Sequence, residues 1–305
     1  MSSTDEHAER FMLLRPLLFT IAYEILGSAT ESDDVLQDSY LRWAQVDLAT
    51  VRDTKSYLAQ VVTRQALSAL RLRARRREEY IGPWLPEPLL LTEHDAAADL
   101  VLAESVSMGM LVLLESLTPD ERAVFVLREV FAFGYDDIAA SVGKSASAVR
   151  QMAYRAREYV RSRRHRFGPY DSARIAELTE KFMTAATTGD LAGLLSMLAP
   201  NVTWTTDSGG KTTAVRQLVT TGAEQVATIL LNLLRAVNRR PGMRIEPVNC
   251  NSAPAVAIYT GDHLEAVLVL DMVDDVIVHG YGIRNPDKLA ALAIARTITR
   301  DPDRA

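Results

Sequence analysis

Along the first 80 residues, apolar positions recur every three or four residues, the period of one face of an α-helix. Phe11, Leu14, Leu17, Leu18, Ile21, Ala22 and Ile25 form one such run, and Gly27 stops it. Val35, Leu36, Tyr40, Leu41 and Trp43 form a second, with Ser32 or Asp33 as its candidate cap. A third starts near Asp53 or Thr54 and runs through Tyr57, Leu58, Val61, Val62, Ala66 and Leu70. It ends in Arg71, Arg73, Arg75, Arg76 and Arg77. This spacing predicts a small helical bundle over residues 1–80.

Gly82-Pro83-Trp84-Leu85-Pro86-Glu87-Pro88 breaks the helical period. Proline lacks a backbone donor and steers its predecessor away from α, so residues 81–100 read as a linker. A tryptophan within it implies that the linker docks on something. Residues 101–168 are helical again. Leu117-Thr118-Pro119-Asp120-Glu121 has the marks of a helix start, with Thr118 as cap and acids at the positive dipole end. A short helix over Tyr135–Val142, a turn at Gly143-Lys144-Ser145 and a longer helix from about Ala146 to Arg163 form a helix-turn-helix pattern.

The period changes from Tyr170. Helices over Ala173–Ala186 and Asp190–Leu198 precede strands at Val202–Thr206, Arg244–Val248, Ala255–Tyr259, His263–Leu270 and Val276–Tyr281. A further helix, Ala223–Val237, lies between the first two strands. The order predicts an α+β domain over residues 169–290, with a mostly antiparallel sheet wrapped around helices. Residues 291–305 read as a C-terminal helix or tail, starting with a terminal helix from Leu289.

With 305 residues, the chain is long for one domain. No stretch approaches the roughly 18–20 apolar residues of a membrane span, and Met1–Glu6 is polar and acidic, unlike a secretory signal. Cys250 is the only cysteine, which excludes an intramolecular disulfide and a cysteine-rich zinc site. The expectation is a cytoplasmic protein without metal or cofactor.

Net charge is −5, which taken whole argues against a nucleic-acid partner. The distribution reverses that impression. Ile81–Glu121 holds 8 acids and no Lys or Arg, whereas Arg122–Arg166 holds 10 bases against 4 acids. Local patches of one sign are what a phosphate backbone responds to.

Three patches could carry chemistry. On the helix from Ala146, Val149, Ala153, Ala156 and Val160 form an apolar stripe, while Arg150, Tyr154, Arg157, Arg161 and Arg164 line another face. Ser145, Ser147, Arg150 and Gln151, in its first turns, would meet base edges in a major groove, and Tyr154, Arg155 and Arg157 follow. Arg64–Arg77 places six arginines after a helix that carries Tyr57, a pairing suited to stacking unpaired bases and holding single-strand phosphates. Glu31, Asp33, Asp34 and Asp38, with Gln37 and Tyr40, form an acidic face that would repel DNA and suit a basic protein surface. A solvated helix face has the same composition in each case; the helix-turn-helix punctuation favours DNA for the first.

Read in order, the acidic helix Asp33-Asp34-Val35-Leu36-Gln37-Asp38, the apolar-to-arginine helix Ser56–Arg77, Leu117–Arg122 and the Tyr135–Tyr159 helix-turn-helix resemble an extracytoplasmic-function sigma factor, its region two followed by its region four. Trp84-Leu85-Pro86-Glu87-Pro88, Asp207-Ser208-Gly209-Gly210-Lys211 and Asn285-Pro286-Asp287-Lys288-Leu289 resemble three marks of a subgroup with a SnoaL-like extension that regulates the factor in cis. The implied fold is two all-α domains followed by an α+β cone. The resemblance implies that Asp33, Asp34, Gln37 and Asp38 bind the β′ clamp of core RNA polymerase, with the β flap as a second attachment. It implies that Tyr57, Arg64, Arg71, Arg73, Arg75 and Arg76 act at the minus-ten element of promoter DNA. Ser145, Ser147, Arg150, Gln151, Tyr154, Arg155 and Arg157 would act at the minus-thirty-five element. Interdomain regulation would fall to Trp84, Pro86, Pro88, Asp207, Gly209, Gly210, Lys211, Asn285, Pro286 and Asp287.

Two positions depart from the pattern. Ser208 stands where the subgroup usually has glycine, which makes its loop less permissive at positive φ. Arg64 stands where many relatives carry an asparagine that helps hold a flipped base. SnoaL-like cones also host cyclases and isomerases, so Asp207, Tyr259, His263, His279 and Tyr281 are candidate general bases. No acid/base spacing singles one out, and no catalytic residue is assigned. A small-molecule ligand in the cone stays open, as does a helix-turn-helix regulator that acts without polymerase.

Overall fold

The structure is a computed structural model that describes residues 3–77, 80–91, 99–163, 172–211 and 219–300. Contacts gather the chain into two compact units. One comprises Met1–Glu79, Met110–Arg164 and Thr297–Ala305; the other comprises Tyr80–Gly109 and His165–Arg296.

The first unit opens with α1 (Ser3–Leu26), α2 (Ala29–Trp43) and α3 (Thr54–Arg77), packed on one another. The apolar run from Phe11 to Ile25 is buried throughout. Gly27 ends α1 at φ 67°, a left-handed conformation open to glycine. The helix after it starts earlier than the sequence suggested. Ser28, rather than Ser32 or Asp33, caps α2 by accepting from the Glu31 amide at 3.1 Å. Ser32 lies one turn inside, buried, with its hydroxyl donating to the Ser28 carbonyl at 2.6 Å. Asp53 caps α3 through the amides of Lys55 and Ser56.

After α4 (Leu100–Ser105) and α5 (Met108–Leu114), helix α6 (Pro119–Phe125) starts at a full capping box, Thr118 with Glu121. It widens into a π-turn over Val126–Val130. Helix α7 (Tyr135–Val142), Gly143 at φ 70° and α8 (Ala146–Arg163) form the helix-turn-helix at the predicted boundaries. Nothing lies within 4 Å of where a Gly143 Cβ would point, so backbone conformation alone selects glycine there. Val149, Ala153, Ala156 and Val160 are all buried, joined by Met152.

The second unit places α9 (Ser172–Thr188), α10 (Leu191–Met197) and α11 (Ala223–Arg239) against a six-stranded sheet. Its strands are β1 (Leu198–Asp207), β2 (Val219–Thr221), β3 (Met243–Cys250), β4 (Ala253–Thr260), β5 (His263–Val273) and β6 (Val276–Ile283), in the order β2-β1-β6-β5-β4-β3. Only β1 and β6 pair in parallel. The sequence reading missed β2, a three-residue edge strand too short to show a period. Phe182, Trp204, Leu230, Leu234, Leu268 and Leu270 lie at the centre of the helix–sheet core.

Among the described residues, the helix expected from Leu289 onward is confined to α12 (Pro286–Leu289) and one turn over Ala290–Ala293, and 301–305 lie outside the described residues. Residues 294–300 carry none. Two of them are anchored in the first unit: the Thr299 amide donates to Thr20 Oγ1 at 3.1 Å and Arg300 donates to the Val130 carbonyl at 3.0 Å. A helix would take those backbone and side-chain groups out of reach, and the β-branched run Ile294, Thr297, Ile298, Thr299 does not favour one.

Candidate functional site

In the first unit, one face of α8 is packed and the other is open. Ser145, Ser147, Arg150, Gln151 and Tyr154 are exposed, Tyr154 at 64%. Ser145 accepts from the Ala148 amide at 3.2 Å, which caps the helix and draws this hydroxyl back toward the backbone. The Arg150 guanidinium stands 5.4 Å from the Tyr135 ring centre, with Arg128 at 4.6 Å from the same ring. Farther along, Arg157 forms two bonds to Glu129, at 2.6 and 3.0 Å, and Arg155 lies 3.6 Å from Glu121. The structure therefore divides the predicted α8 residues. Arg150, Gln151 and Tyr154 are presented to solvent, whereas Arg155 and Arg157 are paired with acids of the same unit.

Three arginines of α3, Arg64, Arg71 and Arg73, are engaged within the same unit. Arg64 donates to the Ala140 carbonyl at 2.8 Å. Arg71 lies 2.7 Å from Asp120, whose other oxygen is 3.0 Å from Lys144. Burial raises the Asp120 carboxyl, but the hydrogen bonds from Lys144 and Arg71 outweigh it and hold the group below its ordinary range. Arg73, 4% exposed, reaches Glu31 at 3.2 Å and Glu115 at 3.6 Å. Glu115 also takes Arg122 at 2.6 Å, and Arg122, 1% exposed, donates to the Glu24 carbonyl at 2.9 Å. This buried chain of charges was invisible in the sequence, because Glu115 shows no motif of its own and Arg122 stood out only as the end of a helix start. Tyr57 is half-buried, its ring 5.7 Å from Trp43. The side chains of Arg75 and Arg76 lie outside the described residues.

On α2, Asp34, Gln37, Asp38 and Leu41 are exposed at helical spacing, and Asp33 is bonded to Arg15 at 3.1 Å.

In the second unit, a buried carboxylate gathers the proline segment. Asp207, fully buried at the end of β1, accepts from the Leu85 amide at 2.9 Å and from Lys288 Nζ at 2.6 Å. The Tyr80 hydroxyl donates to its other oxygen. Lys288, 2% exposed, also donates to the Leu85 carbonyl and sits 3.4 Å from the Trp84 ring centre. Asn285 donates to the Tyr80 hydroxyl at 3.0 Å, and Lys211 pairs with Asp287. Only Gly209 (φ 58°) and Gly210 (φ 71°) take positive φ in this loop, so Ser208 is tolerated. A Cβ on Gly209 would come within 2.6 Å of Asn285, and one on Gly210 within 3.0 Å of Ile81. Pro86 and Pro88 are buried, and Pro286 starts α12.

Four residues later, Asn251 takes over. Its side chain accepts from the Leu89 amide at 2.7 Å and donates to the Val106 carbonyl at 2.7 Å. Leu85 is thus held at the end of β1 and Leu89 just beyond β3, and Pro86 and Pro88 favour an extended course between the two anchors. Tyr80 and Asn251 were missed as members of this clamp, and Lys288 was read only as part of the Asn285–Leu289 segment; the aromatic pair flanking Gly82-Pro83 was the available signal.

Of the candidate bases, only His279 and Tyr281 come together among the described residues, their ring centres 6.3 Å apart. Tyr259 lies under Arg244, its ring centre 4.2 Å from the guanidinium, and His263 is exposed. His279 and Tyr281 stand in register with Asp271 and Val269, on the sheet face opposite the helices. Asp271 is buried there, and burial pushes its carboxyl up to about 8 against the Tyr281 hydrogen bond, which lowers it. The folded protein therefore keeps a proton that the unfolded chain releases near pH 4, so stability falls as pH rises from about 4 to about 8. Asp271→Asn is expected to remove a slope of up to about 1.4 kcal/mol per pH unit. Urea midpoints between those limits measure it; parallel profiles for variant and parent would refute the assignment. Cys250 is buried, and burial pushes its thiol up to about 12, far from a reactive thiolate.

Residues 11–76 match Sigma-70 region 2, and residues 108–160 match Sigma-70 region 4. The chain is 37% identical to the sigma factor SigJ of Mycobacterium tuberculosis over 228 residues, 74% of this chain and 72% of that protein. The chain belongs to the extracytoplasmic-function sigma factors. It is also 28% identical to the probable sigma factor SigI of the same species, over 89% of this chain and 91% of that one. The crystal structure of the M. tuberculosis SigJ covers 93% of this chain and 98% of its own, with 30% identity and a TM-score of 0.72. The sigma factor thus has its two helical regions followed by an α+β domain, and its function is to direct promoter-specific initiation by RNA polymerase. Among the described residues no helix of this sigma factor is long and apolar enough to cross a membrane.

Proposed function

We propose that the sigma factor attaches to the β′ clamp through the Asp34, Gln37 and Asp38 face of α2, with Asp33 behind it, and to the β flap through region four. The arginine end of α3 then captures the non-template minus-ten strand, and α8 reads the minus-thirty-five element. The observation that carries the reading is the two-sidedness of α8: an apolar stripe fixes one face, leaving Arg150, Gln151 and Tyr154 open on successive turns. Arg150→Ala is expected to cost about 1–3 kcal/mol on the cognate element and to relax preference at one base pair. Fluorescence anisotropy on a set of single-base variants measures this; a loss uniform across sequences would make Arg150 a phosphate contact.

The engaged arginines of α3 give this reading a second step. Asp120 competes with a phosphate for Arg71, and the Ala140 carbonyl competes with a base for Arg64. The described arrangement therefore corresponds to the DNA-free factor, and polymerase draws region four off region two. The SnoaL-like domain acts in cis by gripping residues 80–91 through Asp207, Lys288 and Asn285, assisted by Trp84, Gly209, Gly210, Lys211 and Asp287. A regulatory role fits better than an enzymatic one, because Asp207 is taken up by the clamp and Tyr259 and His263 lie apart from the His279–Tyr281 pair. Transcription from a premelted promoter by core polymerase plus this protein tests the whole reading, and absence of a specific start would refute it.

A further inference from the structure

Between the end of α11 and the ends of β3, β4 and β5, the second unit holds a cavity of about 280 Å³. Leu233, Val237, Met243, Ile258 and Ala266 give it an apolar floor. Its polar groups are Arg240, Arg284 and Glu265, with Thr260 beside them. Glu265 is the extra residue of a β-bulge: Ile258 pairs with Ala266 and Tyr259 with Leu264, leaving Glu265 unmatched. A bulge breaks the strict alternation of faces, so Glu265 and its neighbour Ala266 both line the cavity.

Two cations and one acid leave this recess with one net positive charge. Among the described residues, no carboxylate oxygen lies within 4.0 Å of either guanidinium. Arg284 is half-buried, and burial lowers its pKa; Glu265 opposes the shift and Arg240 adds to it. Two like charges and partial desolvation make an arrangement that a bound anion relieves.

We propose that this recess is the binding site of a small organic monocarboxylate, held by Arg240 and Arg284 with its apolar body on the floor. The guanidinium fork matches a carboxylate, and a single negative charge balances the recess. The volume falls just below the range of about 300–1,000 Å³ for drug-sized ligands, which restricts the body to one small ring or a short alkyl chain. The site deepens the cis-regulatory reading and rests on it for its consequence. The Arg284 and Asn285 amides both donate to the Asp207 carbonyl, at 2.7 and 3.1 Å, and the residues that follow hold the proline segment. A ligand on Arg284 therefore loads the strand end from which the clamp is built.

Calorimetric titration of the full chain with benzoate and with hexanoate, against benzamide and hexanamide as uncharged counterparts, is the test. At least one carboxylate is expected to saturate and to bind tenfold or more tightly than its amide. Arg240→Met and Arg284→Met are each expected to weaken it tenfold or more. Arg240 is exposed and makes none of the clamp hydrogen bonds, so its variant decides the matter if Arg284→Met does not fold. Amide binding as tight as carboxylate binding, affinity unchanged in Arg240→Met, or no saturation by either acid up to about 10 mM would overturn the proposal. Transcription without added carboxylate reports on the sigma reading separately, so the two can fail independently.

Discussion

Replacing Lys288 with methionine is expected to destabilise the second unit by about 3–5 kcal/mol, the scale seen when one partner of a buried ion pair is removed. Asp207 is fully buried and Lys288 nearly so, with 2.6 Å between them. Without the ammonium, the carboxylate keeps only the Tyr80 hydroxyl and the Leu85 and Gly209 amides as donors. The Leu85 carbonyl and the Trp84 ring face lose the same cation. Because the clamp is local, much of the loss should appear as detachment of residues 80–91. Hydrogen exchange at the Leu85 and Leu89 amides should accelerate roughly 10²- to 10³-fold, in line with tenfold per 1.4 kcal/mol. Combining Lys288→Met with Asp207→Asn removes the uncompensated charge and should restore part of the protection. Unaltered exchange at Leu85 in the single variant would contradict the role given to this pair.

Glu115→Ala should separate region four from region two. Its carboxylate serves two buried arginines, Arg73 from α3 and Arg122 from α6, and Arg122 in turn holds the Glu24 carbonyl of α1. Removing it leaves two cations facing each other without their shared counter-ion, at about 3–5 kcal/mol to the closed arrangement. Each region retains its own apolar core, so the loss should appear as opening. The radius of gyration from solution scattering should rise while helical circular dichroism stays constant. Free protein should bind a forked minus-ten DNA more tightly, because Arg64 and Arg71 are released. Asp120→Asn, at the exposed rim of the same contact, should move both readouts the same way by only about 0.2–1 kcal/mol. Tighter packing, or weaker fork binding with helicity intact, would show that the contact does not mask α3.

Much of the architecture was legible because it depends on neighbours a few residues apart. The stripe Val149, Ala153, Ala156, Val160 fixed which side of α8 faces inward, and Gly143 marked the only residue type at ease in that turn. Thr118 and Glu121 form the capping box where the sequence placed a helix start. Local rules failed where two local solutions competed or no period existed. Ser28 prevailed over Ser32 as the α2 cap, and β2 was too short to register.

The sequence by itself determined the element order, the sigma regions and the segments that bear charge. Which charge meets which was decided by the tertiary structure alone. Arg71 and Asp120 are 49 positions apart, Asp207 and Lys288 are 81, and Tyr80 and Asp207 are 127. Helical period and turn chemistry act over a few residues, whereas a charge answers to whatever the folded chain brings within a few ångströms. That is why the arginines of α3 read as free for DNA in the sequence, and why only the fold turned Arg64, Arg71 and Arg73 into contacts with region four.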